Sequence, residues 1–577
     1  MTKDKLKRRI DTAAGRIPAD LVIKNAKIVD VFGGTIIPGD IAITDGYVVG
    51  VGSYEGKDIY DANGKYASPG FIDSHIHIES AYVTPEEIGR LLVPFGTTTI
   101  IADPHEIANV KGLEGVKYML EAAKETMLDI KYMLPSCVPA TRFEHAGAVI
   151  GAEDIADALE DRQILGLAEF MDFTGAVNAA EFALDRLIAA RGADVTIDGH
   201  GPGLLGLDLN AYAAAGISTD HECSTIEGMN QRISCGMYVL MRQGSASRDL
   251  EVLIDGITPE NSFRCLLCSD DLQPKTILEK GHMDNHLRLC VSRGIDPITA
   301  IRMATINAAS CYGLKDRGAI APGHRADIVL LDNLTDFKAS QVFICGKLAA
   351  DEGKYLPKIV KHDSAAMESS FHVKDFSKDK LKLHLKSDKV YVIDILPGRV
   401  ATKKGTARVK LDADGDFVRD EAADIVKLAV VERHQNTGNV GVALLRGYGI
   451  KTGAVALSIA HDSHNIITAG TTDEDMAFAV ESLVAQGGGV VLVKGGAVLE
   501  SMPLPIGGLM SDKSGEWVNE RLEAIHEKAH SELGISGDVE PLMTLCFMAL
   551  PVIPELKLTD MGLFDVSVFG LIPLEAE

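Results

Sequence analysis

A chain of 577 residues is longer than a single domain usually runs, so a large core unit with one or two smaller units attached is expected. Hydrophobic residues at 46% and charged residues at 24% give the composition of a packed soluble protein and exclude a disordered or fibrous one. Lys and Arg total 57 against 82 Asp and Glu, a net charge of −25 that repels nucleic acid and anionic membranes and suits a small neutral substrate.

The chain starts MTKDKLKRRIDTAAGRIPADLVI, basic but with no continuous apolar signal segment. No later apolar run approaches the roughly 18 residues of a membrane span, so a cytoplasmic protein is expected. LVIKNAKIVDVFGGTIIPGDIAITDGYVVGVG then alternates apolar and polar residues between Gly-Gly, Pro-Gly and Asp-Gly, the pattern of short strands joined by tight turns. The same style returns in GHRADIVLLDNL and QVFICGKLA, which predicts one small discontinuous β unit, of sandwich type, built from residues 1–68 and 322–355. Between them, over 69–321, apolar β-rich runs alternate with helical patterns. Eight strand candidates can be counted: GFIDSHIH, TTIIAD, IKYMLPSC, ILGLAE, DVTIDGH, GISTDH, MYVLMRQ and FRCLLCSD. Their number and spacing match an α/β protein built on a (β/α)8 TIM-like barrel. Nine Cys in a chain without a secretion signal read as reduced thiols, and Cys265 and Cys268, three apart on a strand, read as core. A polar, Lys-rich stretch beyond about Lys354 marks a connection, and 356–577 forms a further α/β domain. There AVALSIA and GGGVVLV flank a helix with Thr472 as its cap, Gly487 at its stop, and Met476, Val480, Leu483 and Val484 on one face.

Active sites of such barrels lie at the C-terminal ends of the strands, so metal ligands should be the last polar residues of several strand runs. The first run ends in His75 and His77, two apart and therefore on one face; the fourth ends in Glu169, the fifth in His200, the sixth in His221 and the eighth in Asp270. One such residue reads as a loop or cap. Six together predict two divalent cations held by four imidazoles and two carboxylates, with Glu169 able to bridge. The ligand set suits iron, manganese and zinc alike.

PGFIDSHIHIE, the later carboxylate, the two separated His, the Asp of the eighth strand, ATINAAS and GAIAPGHRADIVLLD resemble the amidohydrolase superfamily over roughly the first 350 residues. HIHIES, ADPHEIANV, EFMDF, TDHE, CSDD and SIAHDSHNIITAG are similar to the adenine deaminase family over nearly the whole chain. That resemblance implies hydrolytic deamination of adenine to hypoxanthine and ammonia in purine salvage, a two-metal centre with manganese or iron favoured over zinc, and a homo-oligomer. Two departures from the wider superfamily narrow the choice. His200 is followed by Gly-Pro-Gly where mononuclear deaminases carry a nearby Glu, and the fourth strand offers Glu169 where many binuclear relatives use a carboxylated Lys.

Two cations lower the pKa of water enough to supply hydroxide at neutral pH, which attacks C6 of the purine. Asp270 takes the water's proton and relays it to the leaving amine, the role its counterpart plays in the superfamily. A donor to ring N1 is also required. Glu106 is the first candidate, with Glu79 and Asp271 behind it, and each reads equally as support for a metal-bound His. His105 either touches the substrate or caps the loop after Pro104. His461, Asp462, His464 and Asn465 form a polar knot that reads as a turn, as part of the active-site mouth or as a subunit contact. The glycines at 487–489 and near Gly507 lack the strand, loop, helix and Lys of a phosphate cradle and read as turns. The rival readings are an amidohydrolase that opens a cyclic amide or imide, and a barrel kept as a non-catalytic scaffold.

Overall fold

The computed structural model describes residues 2–576. After an N-terminal helix (Lys3–Ala13), five strands follow: β1 (Ala19–Asp30), β2 (Thr35–Thr44), β3 (Tyr47–Gly52), β4 (Gly56–Asp61) and β5 (Tyr66–Pro69). Strand β1 runs antiparallel to β2, and on its other edge it pairs with β4 through its first half and with β5 through its second.

All eight strands expected for the barrel are present: β6 (Phe71–His77), β7 (Thr97–Ala102), β8 (Asp129–Leu134), β9 (Ile164–Phe170), β10 (Thr196–Gly199), β11 (Thr219–Asp220), β12 (Tyr238–Arg242) and an eighth split into β13 (Cys265–Cys268) and β14 (Asp270–Asp271). Neighbours pair in parallel, and every residue of β6 and β7 is buried, as expected of strands covered on both faces. The ring closes at two points. Ser218 N–H donates to the Ile197 carbonyl at 3.0 Å, joining the β10 and β11 sides. At the other, β13 pairs with β12 while β14 pairs with β6, because Asp270 takes a left-handed backbone (φ 60°) that turns the strand across the gap. Ser269, at the break, donates its N–H (3.1 Å) and hydroxyl (2.5 Å) to Asp73 on β6, so the bend is anchored by side-chain bonds where the ladder is interrupted.

After the barrel, β15 (Ile328–Leu331) lies antiparallel against β5, followed outward by β16 (Ala339–Ile344), β17 (Lys347–Asp351) and β18 (Lys354–Tyr355). The two chain segments thus share one nine-stranded hydrogen-bonded sheet, with Ile23, Ile28, Ile41, Ile328 and Phe343 in its main core and Ala19, Val22, Ala42 and Val49 on its other side.

Residues 356–388 are irregular apart from two single turns and lead to an eight-stranded, largely antiparallel sheet. Its helix Asp473–Ala485 is capped by Thr472, whose hydroxyl accepts from Asp475 N–H, and buries Met476, Val480 and Leu483. This domain sits on the barrel. Asp560 accepts from His145 N–H (3.0 Å) and meets its Nδ1 (2.6 Å), Gln435 donates to Ala146 O (2.9 Å), and Asn465 donates to His145 O (2.7 Å), all in the loop after β8. The nine cysteines are free, with Cys265 and Cys268 buried in the barrel wall, and no helix among the described residues is long and apolar enough to cross a membrane.

Candidate metal centre and active site

The six expected ligands converge at one mouth of the barrel. On β6 the Nε2 atoms of His75 and His77 are 3.2 Å apart, and Asp270 Oδ1 lies 3.6 Å from the first and 3.2 Å from the second. Across the mouth, His200 Nδ1 and His221 Nε2 lie 3.3 Å apart and approach Glu169 Oε2 at 2.9 and 3.0 Å. The other oxygen of Glu169 is 3.6 Å from His77 Nε2. Glu169 therefore faces both halves of the set, and Ser136 fixes its backbone by donating to its carbonyl at 2.5 Å.

The directions of the ring nitrogens say what this arrangement requires. His77 spends its Nδ1–H on the Asp103 carbonyl at 3.1 Å, so a neutral ring turns an Nε2 lone pair toward Asp270 Oδ1, Glu169 Oε1 and His75 Nε2. Acceptors facing acceptors at these distances repel unless a proton or a metal cation stands among them. His200 Nε2 and His221 Nδ1 are buried with no partner, which leaves the inward nitrogens as the working ends of both rings. Burial disfavours charge on His77, but the hydrogen bond to Asp270 and the Glu169 carboxylate outweigh it and raise its proton affinity well above that of an ordinary imidazole. Burial likewise opposes ionisation of Glu169, yet His200 and His221 hold its carboxyl well below the usual range. A site that draws a proton this strongly onto His77 is short of positive charge there, and its donor set of imidazoles and carboxylates is one that divalent ions accept. The residues fit the metals.

Several neighbours escaped the strand-end rule. Glu222, directly after His221, lies 3.8 Å from His200 Nδ1 and 3.6 Å from His221 Nε2. Arg242, at the end of β12, bonds Glu222, reaches Asp270 Oδ2 at 3.1 Å and holds Asp249 at 2.9 Å. Asp103 orients His105 through Nδ1 at 3.1 Å. The sequence signals were the second acid of TDHE and the Asp of ADPHE, both just beyond a strand.

His105, expected at the substrate or as a cap, links two clusters: its Nδ1 is 3.4 Å from Glu169 Oε1 and its Nε2 3.5 Å from Glu106 Oε1. Glu106 sits in the first turn of the helix His105–Ala122 and meets the polar knot of the C-terminal domain. His461 Nδ1 is 2.7 Å from its Oε1, and His464 Nε2 bonds its Oε2. The knot therefore packs against Glu106 at the mouth of the barrel rather than forming an isolated turn. Asn465 reaches the barrel as well, through His145. Asp271 accepts from the Ser80 hydroxyl at 2.5 Å. Glu79 accepts from Ile107 N–H at 3.2 Å and keeps its second oxygen buried without a partner; burial first, then the neighbouring Glu106, raises its carboxyl to about 7. Gly507 was read as a turn glycine, and its φ of 67° agrees, but it also makes a close approach: a Cβ there would lie 2.5 Å from Ile107, the residue after Glu106. The candidate ligands His77, Glu169, His200, His221 and Asp270 border a cavity of about 260 Å³, roofed by Val400, Phe547, Leu550, Ile553 and Pro554 from the C-terminal region.

The comparisons agree with this geometry. Residues 66–354 match the amidohydrolase family and residues 399–570 the adenine deaminase C-terminal domain. Adenine deaminase 2 of Desulfotalea psychrophila is 62% identical over 576 residues, covering 100% of both chains. Adenine deaminase of Ligilactobacillus salivarius is 52% identical, covering 98% of each, and that of Nitratidesulfovibrio vulgaris strain DP4 is 50% identical, covering 97% of each. With relatives this similar along the whole length and both family models matched, the chain belongs to the adenine deaminase family of amidohydrolases.

Proposed function

We propose that this protein hydrolyses adenine to hypoxanthine and ammonia, with two divalent metal ions held by His75, His77, Glu169, His200, His221 and Asp270. The observation that carries the metal reading is Glu169, whose two oxygens face opposite halves of the ligand set. Full-length similarity to adenine deaminases supports the choice of substrate. Bound there, the ions would supply hydroxide at neutral pH and stabilise negative charge on the attacking oxygen, with manganese or iron preferred to zinc.

The protein's own groups do the rest. Asp270, held by Arg242 and facing His75 and His77, takes the proton of the attacking hydroxide and passes it to the departing amine. Arg242 keeps that carboxylate and Glu222 oriented. The apolar roof of Phe547, Leu550 and Ile553 excludes bulk water and presents a surface on which a flat heterocycle packs. The same reading divides the chain into a β unit of 1–68 and 322–355, a catalytic barrel of 69–321 and a C-terminal domain of 356–577. It places the enzyme in the cytoplasm as a homo-oligomer acting on a small molecule rather than on nucleic acid, and a sedimentation profile containing monomer alone would oppose the oligomer.

The test is ammonia release from adenine, adenosine, cytosine and a dihydropyrimidine by protein stripped of metal and refilled separately with manganese, iron and zinc. Turnover of adenine, with about two ions regained per chain, is expected. Turnover of the dihydropyrimidine without adenine would replace the proposal by a cyclic-amide hydrolase, and failure to bind metal would favour a scaffold.

A further inference from the structure

Attack at C6 pushes an electron pair onto the adjacent ring nitrogen, so a donor must face that atom. Glu106 is poorly placed to be the donor. Both of its oxygens are engaged by imidazoles from the C-terminal domain, Oε1 by His461 and Oε2 by His464. His464 accepts at Nδ1 from Ala460 N–H at 3.2 Å, so its neutral ring carries the hydrogen on Nε2 and gives it to Glu106. A carboxylate that accepts on both sides has no proton to offer.

His461 is the group that Glu106 presents. Its Nδ1 is tied to Glu106 at 2.7 Å, and its ring stacks on Phe547 at 4.5 Å with the planes 22° apart, so rotation is blocked on one edge and one face. Among the described residues nothing bonds its Nε2, and the ring borders the cavity beside Asp271 and Asp462. Resting on the adenine reading above, we propose that His461, delivered by the C-terminal domain and oriented by Glu106, is the catalytic residue that donates to the purine ring nitrogen next to C6.

The step balances. Hydroxide forms the C6–O bond, the C6–N1 π pair moves to N1, and the N1–H bond forms as the His461 Nε2–H bond breaks. The hydroxide proton passes through Asp270 to the amino group, the C6–N bond breaks with its pair on nitrogen, and ammonia leaves. The proton that water lost when hydroxide was generated restores His461. Burial opposes a charged His461, but Glu106 outweighs it and raises the ring to about 9, which agrees with a proton being present to give.

The experiment compares binding of purine and 1-deazapurine, which lacks the acceptor nitrogen, to metal-loaded wild type and to His461→Asn and His461→Gln. Neither ligand carries the amino group that leaves, so binding is read without turnover. Wild type should prefer purine by about tenfold or more, the worth of one hydrogen bond from a charged donor. In a folded variant that keeps its metal, the preference should vanish while both ligands still bind, and kcat for adenine should fall by about 10²–10⁴-fold. A merely structural His461 would weaken both ligands equally. Preference retained in either variant, or no preference in wild type that deaminates adenine, overturns the assignment; wild type that fails on adenine overturns the substrate reading instead.

Discussion

Arg242 holds three carboxylates at once: Asp270 at 3.1 Å, Asp249 at 2.9 Å and Glu222 through its terminal nitrogen. Its planar fork reaches them in directions that a lysine ammonium, a single point of charge on a flexible stem, does not reproduce. Arg242→Lys should therefore keep the fold by circular dichroism yet lower metal affinity or kcat by roughly 10–100-fold, the usual cost of losing an orienting partner behind a ligand. Unchanged metal titration and unchanged kcat would show that Asp270 and Glu222 orient themselves. Arg242 was hard to foresee because MYVLMRQ reads as an apolar strand with an ordinary charged end. The convergence of six candidate residues was legible for the opposite reason: a barrel turns strand-end position into spatial proximity, so His75, His77, Glu169, His200, His221 and Asp270 could be brought together from chain order. His461 and His464 obey no such rule. They lie more than 350 residues from Glu106, and only the packing of another domain brings them there.

A strand near the C-terminus, Leu556–Thr559, carries Lys557 fully buried, and its ammonium donates to Val400 O at 2.9 Å and Phe547 O at 2.8 Å. One side chain thus ties two segments of the cavity roof, including the ring stacked on His461. Burial alone pushes its pKa down from 10.5 to about 7. Between those values the unfolded chain holds a proton that the folded chain has released, so this residue makes stability rise with pH; below about 7 both states are protonated and the slope disappears. Relative to Lys557→Met, wild type should gain about 1.4 kcal/mol for each pH unit between 7 and 10, read from guanidinium unfolding of both proteins at pH 7, 8 and 9. A constant difference would mean that the buried amine keeps its proton. Elements such as the barrel strands were readable because parallel strands buried on both faces appear as short apolar runs. The helix Asp473–Ala485 was readable from its cap and its buried face. The split of the eighth strand was not, since the left-handed turn at Asp270 follows from ring closure rather than from any local preference.

At the scale of the whole molecule, the C-terminal domain is bolted to the barrel through the helix that follows β6, the strand of His75 and His77. Gly515 N–H donates to Glu87 at 2.7 Å, Arg90 joins Glu87 to Glu516, and a Cβ on Gly515 would lie 2.7 Å from Leu91. The chain's one tryptophan, Trp517, sits in the helix that begins there, Gly515–Ser531, so its fluorescence reports on the C-terminal domain and not on the metal ligands. Ions that bind the folded barrel and not the unfolded chain stabilise it by about 4 kcal/mol per site when free metal is 1,000-fold above Kd. If Glu106, His461 and His464 join the two domains into one cooperative unit, that stabilisation is shared. Thermal unfolding followed through Trp517 should then move up by several degrees on metal loading, in step with far-ultraviolet circular dichroism, and fall back on chelation. Two independently melting domains would leave the Trp517 transition fixed while the dichroism shifts. In that case the polar contacts across the interface would hold an active site together without holding the fold together.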